Sequence, residues 1–291
     1  MRTLCIIFFI FISEIVGAKT IERKIDINNL VKFKIESFGD IIISKGEEES
    51  IRIVYEEEYK RYIQIDKNED NIHIYIDANR IPKQSPKLFI SIKEMKSLKI
   101  INCGDIKLNN IDIDSLDLLI SSCNNIYLDN ITLSSGDFYL KSSDNIVFSN
   151  VNVNVGHLKI AACKDVALFL SSKSIKMGIK ASDDVNIKGE ISNLSLSFST
   201  IDEVNVDASF DKAIISSKCA NIFKLSANTS KDLDLSICYS KKIVIGGKLN
   251  KFILNTSSCN DLYLVGESSK FIYNNLGVDK CNMECFTYNH K

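Results

Sequence analysis

Residues 118–128 read Leu118-Leu119-Ile120-Ser121-Ser122-Cys123-Asn124-Asn125-Ile126-Tyr127-Leu128, and the same outline returns on either side. Residues 98–108 read LKIINCGDIKL, 138–148 FYLKSSDNIVF and 158–168 LKIAACKDVAL. Each copy carries an apolar pair at a spacing of two, a small residue three positions later, and a second apolar pair that starts three residues after that. The period is roughly 18 to 21 residues, the length of one β-solenoid coil.

Working outward, five cysteines fall at one phase: Cys103, Cys123, Cys163, Cys219 and Cys259. Ser143, Ser182, Ile201 and Ser240 fill the gaps. Three residues after each member lie Ile106, Ile126, Ile146, Val166, Val185, Val204, Ile222, Ile243 and Leu262, all aliphatic. Two residues further on, Leu108, Leu128, Phe148, Leu168, Ile187, Val206, Ile245 and Leu264 are apolar, and Lys224 is the exception. Pairs such as Leu98/Ile100, Leu118/Ile120, Phe138/Leu140, Leu158/Ile160, Met177/Ile179, Leu196/Phe198 and Leu235/Ile237 precede the column. In the copy containing Cys219, Ile215 falls one place off, which predicts a small bulge.

Side chains on a strand alternate faces, so a spacing of two within a pair is strand geometry. A spacing of three between pairs means that the chain has turned a corner. Early copies show a third pair, Ile111/Ile113, Ile131/Leu133 and Val151/Val153. The prediction is an all-β parallel β-helix of about nine coils, each with three short strands around an apolar interior. An α-solenoid conflicts with the β-branched enrichment and needs longer units. Leucine-rich repeats have a compatible length, but their Asn ladder and Leu pattern are missing from this sequence.

One position before the first aliphatic column stand Asp105, Asn125, Asn145, Asp165, Asp184, Glu203, Asn221, Lys242 and Asp261. Asn and Asp tolerate left-handed backbone and bond their own turns, so a corner is the plain reading. An acidic calcium-binding ridge is the alternative. Cysteine that interchanges with serine and isoleucine down a stack reads as a small packed side chain rather than a disulfide partner. Cys281 and Cys285, close together near the C-terminus, are the better disulfide candidates.

Residues 1–18 read as a signal peptide: Arg2 is the basic start, 4–12 is apolar, and Val16-Gly17-Ala18 supplies small residues for cleavage. The alternative, an uncleaved anchor, is interrupted by Ser13-Glu14. No second stretch of spanning length follows, so the mature chain is expected to have no transmembrane segment. Residues 19–95 keep alternation without the repeat phase and are expected to form a β-rich cap or irregular first coils. Polar hairpin turns are expected at 45–49 and 67–71. The run 55–62, YEEEYKRY, is either a binding surface or a strand edge or short helical turn. The repeat is placed at 96–273 and a C-terminal cap at 274–291.

These segments together resemble the bacterial auto-transporter adhesin, head GIN domain family. The resemblance rests on Val31-Lys32-Phe33-Lys34-Ile35, Gly39-Asp40-Ile41-Ile42-Ile43, Glu49-Ser50-Ile51-Arg52-Ile53, Leu88-Phe89-Ile90-Ser91-Ile92 and Gly104-Asp105-Ile106. It continues in coil turns such as Ser121-Ser122-Cys123-Asn124-Asn125-Ile126 and Ala181-Ser182-Asp183-Asp184-Val185. The resemblance implies an exported, single-stranded right-handed β-helix and carries over no catalytic residue. The family's turn glycines are mostly Cys, Asn, Lys and Asp here. The residues after the repeat are too few for an outer-membrane barrel.

Lys plus Arg number 36 and Asp plus Glu 37, so the chain lacks the basic footprint of a nucleic-acid binder. Three histidines and no tryptophan are a thin inventory for imidazole or metal chemistry. The expectation is an exported non-enzymatic protein, secreted or held in the cell envelope, acting as an adhesin-like binding or scaffold module. Its partners would be glycans or other cell-envelope proteins, with self-assembly through coil ends or edges as a third reading. No catalytic, cofactor-binding or metal-binding residue is assigned. The alternative is a carbohydrate-active β-helix enzyme, a polysaccharide lyase or hydrolase, using Asp183/Asp184 and Asp202/Glu203.

Overall fold

The computed structural model describes residues 20–27, 29–77, 85–227 and 230–288. The proposed signal peptide, Asn228 and His290 lie outside the described residues. The described chain is almost wholly β, with twelve strands in one sheet and a single turn of 3-10 helix at Glu57–Tyr59. The strands are β1 (Thr20–Asp26), β2 (Lys32–Glu36), β3 (Ile41–Lys45), β4 (Ser50–Glu56), β5 (Ile63–Asn68) and β6 (Asn71–Ile76). They continue as β7 (Lys87–Ile92), β8 (Ser97–Ile101), β9 (Ile106–Ser209), β10 (Lys212–Ala227), β11 (Asp232–Cys238) and β12 (Lys242–Tyr288).

The 104 residues of β9 would span roughly 340 Å if straight. They bend instead. Within β9, φ turns positive at Asn110, Ser122, Asn130, Ser142, Asn150, Ala162, Ala181 and Thr200. Pairing follows the same period. Strand β8 runs parallel to Asp117–Ser121, twenty residues on, with Leu98 beside Leu118 and Ile100 beside Ile120. Strand β10 lies parallel to Asn193–Ser199 on one side, with Lys212 beside Asn193, and to β11 on the other, with Lys212 beside Asp232. The predicted columns are the core: Ile106, Ile126, Ile146, Val166, Val185 and Val204 are all 0–1% exposed.

Each positive-φ residue Ser122, Ser142, Ala162, Ala181 and Thr200 immediately precedes a member of the small-residue column. L-residues other than Asn and Asp visit this region reluctantly. The corner is pinned by its neighbour. Cys103, Cys123 and Cys163 donate Sγ–H to the carbonyls of Ile101, Ser121 and Ala161, and Ser143 donates Oγ–H to Lys141. A thiol and a hydroxyl can make the same bond two residues back, which is why cysteine and serine interchange.

Two sequence expectations are corrected. Ala220, not Cys219, is the column member in its coil: it pairs with Ile201, while Cys219 takes the left-handed position at φ 59° and is exposed. Phe223 then stands beside Val204 and Leu225 beside Val206, both buried, so Lys224 faces out and is no exception. Ile222, half-buried, replaces Asn221 in the polar column beside Glu203 and Lys242. Ile215 pairs in register with Leu196 and Leu235, and there is no bulge. Second, 45–49 is not a hairpin turn. Strand β4 does not pair with β3; both flank β7, β3 parallel and β4 antiparallel. The turn at 67–71 does join an antiparallel hairpin, β5 with β6.

The first strands pair out of chain order. Strand β2 lies between β6 and β8, and β3 between β7 and the start of β9. The later segment β6–β7 therefore sits outside the earlier β2–β3. Beyond it, antiparallel β1, β4 and β5 cover that end. Tyr59, on the 3-10 turn, is fully buried and Tyr55 nearly so, so the run 55–62 anchors this end through its aromatic rings. At the far end Phe286 packs on Phe252 and Phe271, with ring centroids 6.3 and 5.0 Å away.

Candidate functional site

The outward side chains form a lattice because every inward column fixes its neighbours. On the face built from 117–121 and the matching segments 137–141, 157–161, 176–180, 195–199 and 214–218, three residues per coil point out. An open groove of about 890 Å³ crosses this face, lined by Asp137, Tyr139, His157, Lys159, Lys176 and Gly178 among others. A smaller depression shares His157 and Lys176 and runs on to Lys212 and Ile214.

Strand alternation and a missing side chain create the groove. Phe138, Leu158 and Met177 point inward and are buried, so Tyr139, Lys159 and Gly178 must stand outward in one row. Gly178 opens a gap in that row. A Cβ there would meet only Ser197 Oγ, at 3.4 Å. Tyr139, at 38% exposure, offers an aromatic face at one rim, with Lys141 Nζ 5.7 Å from its ring centroid. His157 Nδ1 and Asp137 Oδ1 lie 2.8 Å apart, both well exposed. Lys159, Lys176, Lys180 and Lys218 have no carboxylate partner among the described residues. The arrangement offers ammonium donors, a stacking ring and serine hydroxyls across several coils, which suits holding an extended polar ligand.

The polar corner column makes a hydrogen-bonded ladder over its first coils. Asp105 Oδ1 accepts from the Asn125 backbone N–H at 3.2 Å and from Asn125 Nδ2 at 2.9 Å; Asn125 Oδ1 accepts from Asn145 Nδ2 at 2.7 Å. Further along, Asp165, Asp183, Asp184, Asp202 and Glu203 gather around one corner. Burial, then the charges of Asp165, Glu203, Asp183 and Asp202, push the Asp184 carboxyl above its ordinary value. Glu203 is bound to Lys224 Nζ at 2.5 Å and Asp202 accepts from Asn221 at 3.0 Å. Among the described residues no group of three or more His, Cys, Asp or Glu could hold a metal ion.

All eight described cysteines are free thiols, and Cys281 and Cys285 are exposed and unbridged. Cys103 and Cys123 sit on adjacent coils. The neighbouring Cys123 side chain, and then burial, raise the Cys103 thiol, while Cys123 is lowered. Sequence reasoning missed the groove, although its signal was present. It lies in the residues between the inward pairs, which align into columns of their own once the coil offsets are fixed.

No family model matches the chain, and no curated protein matches it. Solved structures do. A "putative adhesin" from Parabacteroides merdae is 15% identical with a TM-score of 0.49, over 88% of this chain and 96% of that one. A "putative adhesin" from Bacteroides fragilis is 15% identical with a TM-score of 0.39, over 89% and 98%. A "putative lipid binding protein" from Parabacteroides distasonis is 12% identical with a TM-score of 0.35, over 94% and 96%. No described helix is long and apolar enough to cross a membrane.

Proposed function

We propose that this chain is an exported, non-enzymatic binding module of the cell surface or envelope, and that it holds large repetitive ligands on the lateral face of a β-helix. We read its architecture as a single-stranded right-handed parallel β-helix of about nine coils of the head GIN type. On this reading 1–18 is a signal peptide, 19–95 the cap, 96–273 the repeat and 274–291 the closing segment. Parallel pairing at offsets of nineteen and twenty residues and a left-handed corner beside each small-residue position support it.

One observation carries the functional reading. The face from Asp137 to Lys218 repeats outward polar groups at the coil spacing, with a groove opened by Gly178. Solenoids use such extended faces for binding. The partners proposed are glycans or other envelope proteins. The test is a broad glycan array probed with the purified protein lacking residues 1–18, with calcium and with chelator. Bound glycans are then incubated with the protein and checked for cleavage. Binding without cleavage supports the proposal. Turnover that is lost when Asp183, Asp184, Asp202 and Glu203 are replaced by their amides would replace it with the enzyme reading.

A further inference from the structure

The groove face carries a charge pattern that its neighbours do not. Of the fifteen outward positions in 137–141, 157–161, 176–180, 195–199 and 214–218, five are lysines (Lys141, Lys159, Lys176, Lys180, Lys218) and one is a carboxylate, Asp137, already paired with His157. The whole chain has a net charge of −1, so this concentration of positive charge is local. The balancing carboxylates include Asp165, Asp183, Asp184, Asp202 and Glu203, which lie past the left-handed corner and bound the face on that side.

The spacing is more informative than the count. Lys141, Ala161, Lys180, Ser199 and Lys218 each directly precede a left-handed corner residue, Ser142, Ala162, Ala181, Thr200 and Cys219. They therefore form one column, and the pairing of Lys218 with Ser199 belongs to it. Lysine occupies every second coil. Coils stack at the strand spacing of ~4.8 Å, so successive ammonium groups spring from positions ~9.6 Å apart. That is about the length of one disaccharide in an extended polysaccharide.

The geometry points to an acidic polysaccharide with one carboxylate per disaccharide as the ligand of this face. It would run along the stack with its anionic groups on Lys141, Lys180 and Lys218 and its sugar rings over Tyr139 and the gap at Gly178. This inference rests on the binding reading above and adds the ligand's charge and repeat. Column charge and ligand charge share one period, which a scattered basic surface would not provide. Lys159 stands in the coil between Lys141 and Lys180, Lys176 shares the coil of Lys180, and the coil between Lys180 and Lys218 presents the hydroxyls of Ser195, Ser197 and Ser199.

The test uses the protein without residues 1–18 and immobilised hyaluronan, which carries one carboxylate per disaccharide. Dextran (neutral), polyglutamate (an acidic polypeptide) and phosphatidylglycerol vesicles (an anionic membrane) are comparison probes. The main variant is Lys141→Ser/Lys180→Ser/Lys218→Ser. Serine and alanine already occupy this column at Ser199 and Ala161, so the variant keeps the fold, and its melting temperature is measured alongside. Lys164→Ser, exposed at a corner, controls for loss of charge off the face. The expected result is binding to hyaluronan ahead of all three comparison probes, about tenfold weaker in the triple variant and falling with added salt. Hyaluronan binding that the triple variant retains at full strength overturns this inference and leaves the binding module standing. Equal or tighter binding to dextran, polyglutamate or vesicles does the same. No binding to hyaluronan overturns this inference, and no binding to dextran or any arrayed glycan as well removes the glycan arm of the binding reading and leaves envelope proteins as its partners.

Discussion

Replacing Phe223 by alanine tests the register of the whole repeat, because the cysteine column and the structure give opposite orientations here. Counting from Cys219 puts Ile222 and Lys224 inward. The structure puts Phe223 and Leu225 inward, Phe223 with no exposed surface and its ring edge-on to Phe198 at 6.3 Å and 69°. Removing a buried phenylalanine costs ~3–5 kcal/mol, since the coils above and below close only part of the cavity. Lys224 is 43% exposed and its ion pair with Glu203 is half in water, so Lys224→Ala costs ~0.2–1 kcal/mol. On the scale of domains of 150–250 residues, these are falls in Tm of roughly 6–20 °C and of no more than ~4 °C. Ile222→Ala, half-buried between Glu203 and Lys242, should resemble the lysine variant. The assay is thermal and urea unfolding followed by far-ultraviolet circular dichroism, with m recorded so that a change in cooperativity is seen. Lys224→Ala or Ile222→Ala matching Phe223→Ala would refute the register.

Three further outcomes are expected. Asp184→Asn should stabilise at neutral pH: with its folded pKa raised, Asp184 contributes most below its unfolded value and loses that as pH rises through the folded value, so the gap in Tm should vanish in acid. Cys219, Cys281 and Cys285 should react rapidly with a thiol reagent in the native state, and Cys103, Cys123, Cys163 and Cys259 only after unfolding, as mass mapping of the labelled peptides would read. A rapidly labelled Cys103 or a protected Cys219 would contradict the burial. Asn125→Asp should cost about 1–2 kcal/mol at pH 7, because the donor to Asp105 becomes a carboxylate facing it, and the loss should recover on acidification; an unchanged urea midpoint would show that the ladder contributes nothing.

Much of this fold is readable in the chain, for a physical reason. Residues that line one shared interior must be apolar, so the recurrence of Ile106, Ile126 and Ile146 marks the core. The misreading at Cys219 is equally physical. Small residues are favoured at both the corner and the next position, and an apolar residue stands at Ile222 as well as at Phe223. A slip by one reverses every side chain. Only the pairing of Ala220 with Ile201 decides it. The order of the first strands was hard to read, because β3 finds its partners 47 and 65 residues later, off the repeat period, and only Gly39-Asp40-Ile41 and Gly104-Asp105-Ile106 echo one another. The groove was half legible. Lys141, Lys180 and Lys218 are visible as a column once the inward pairs are aligned, but the opening at Gly178 depends on the absence of a side chain.

The out-of-order stacking at the N-terminal end has a kinetic consequence. A coil that pairs with its immediate successor can add on as the chain appears, by closing a loop of about twenty residues. Strands β2 and β3 cannot be completed that way. Each waits for one neighbour from 71–92 and another from 97–109, so the earliest coil to leave the ribosome or a translocation pore is among the last to be satisfied. Long closures are slow because chain entropy is lost before contacts form. Assembly should therefore nucleate within the regularly paired strands and finish at the N-terminal end. In pulse-labelling hydrogen exchange, the amides of β9 should gain protection before those of β2 and β3.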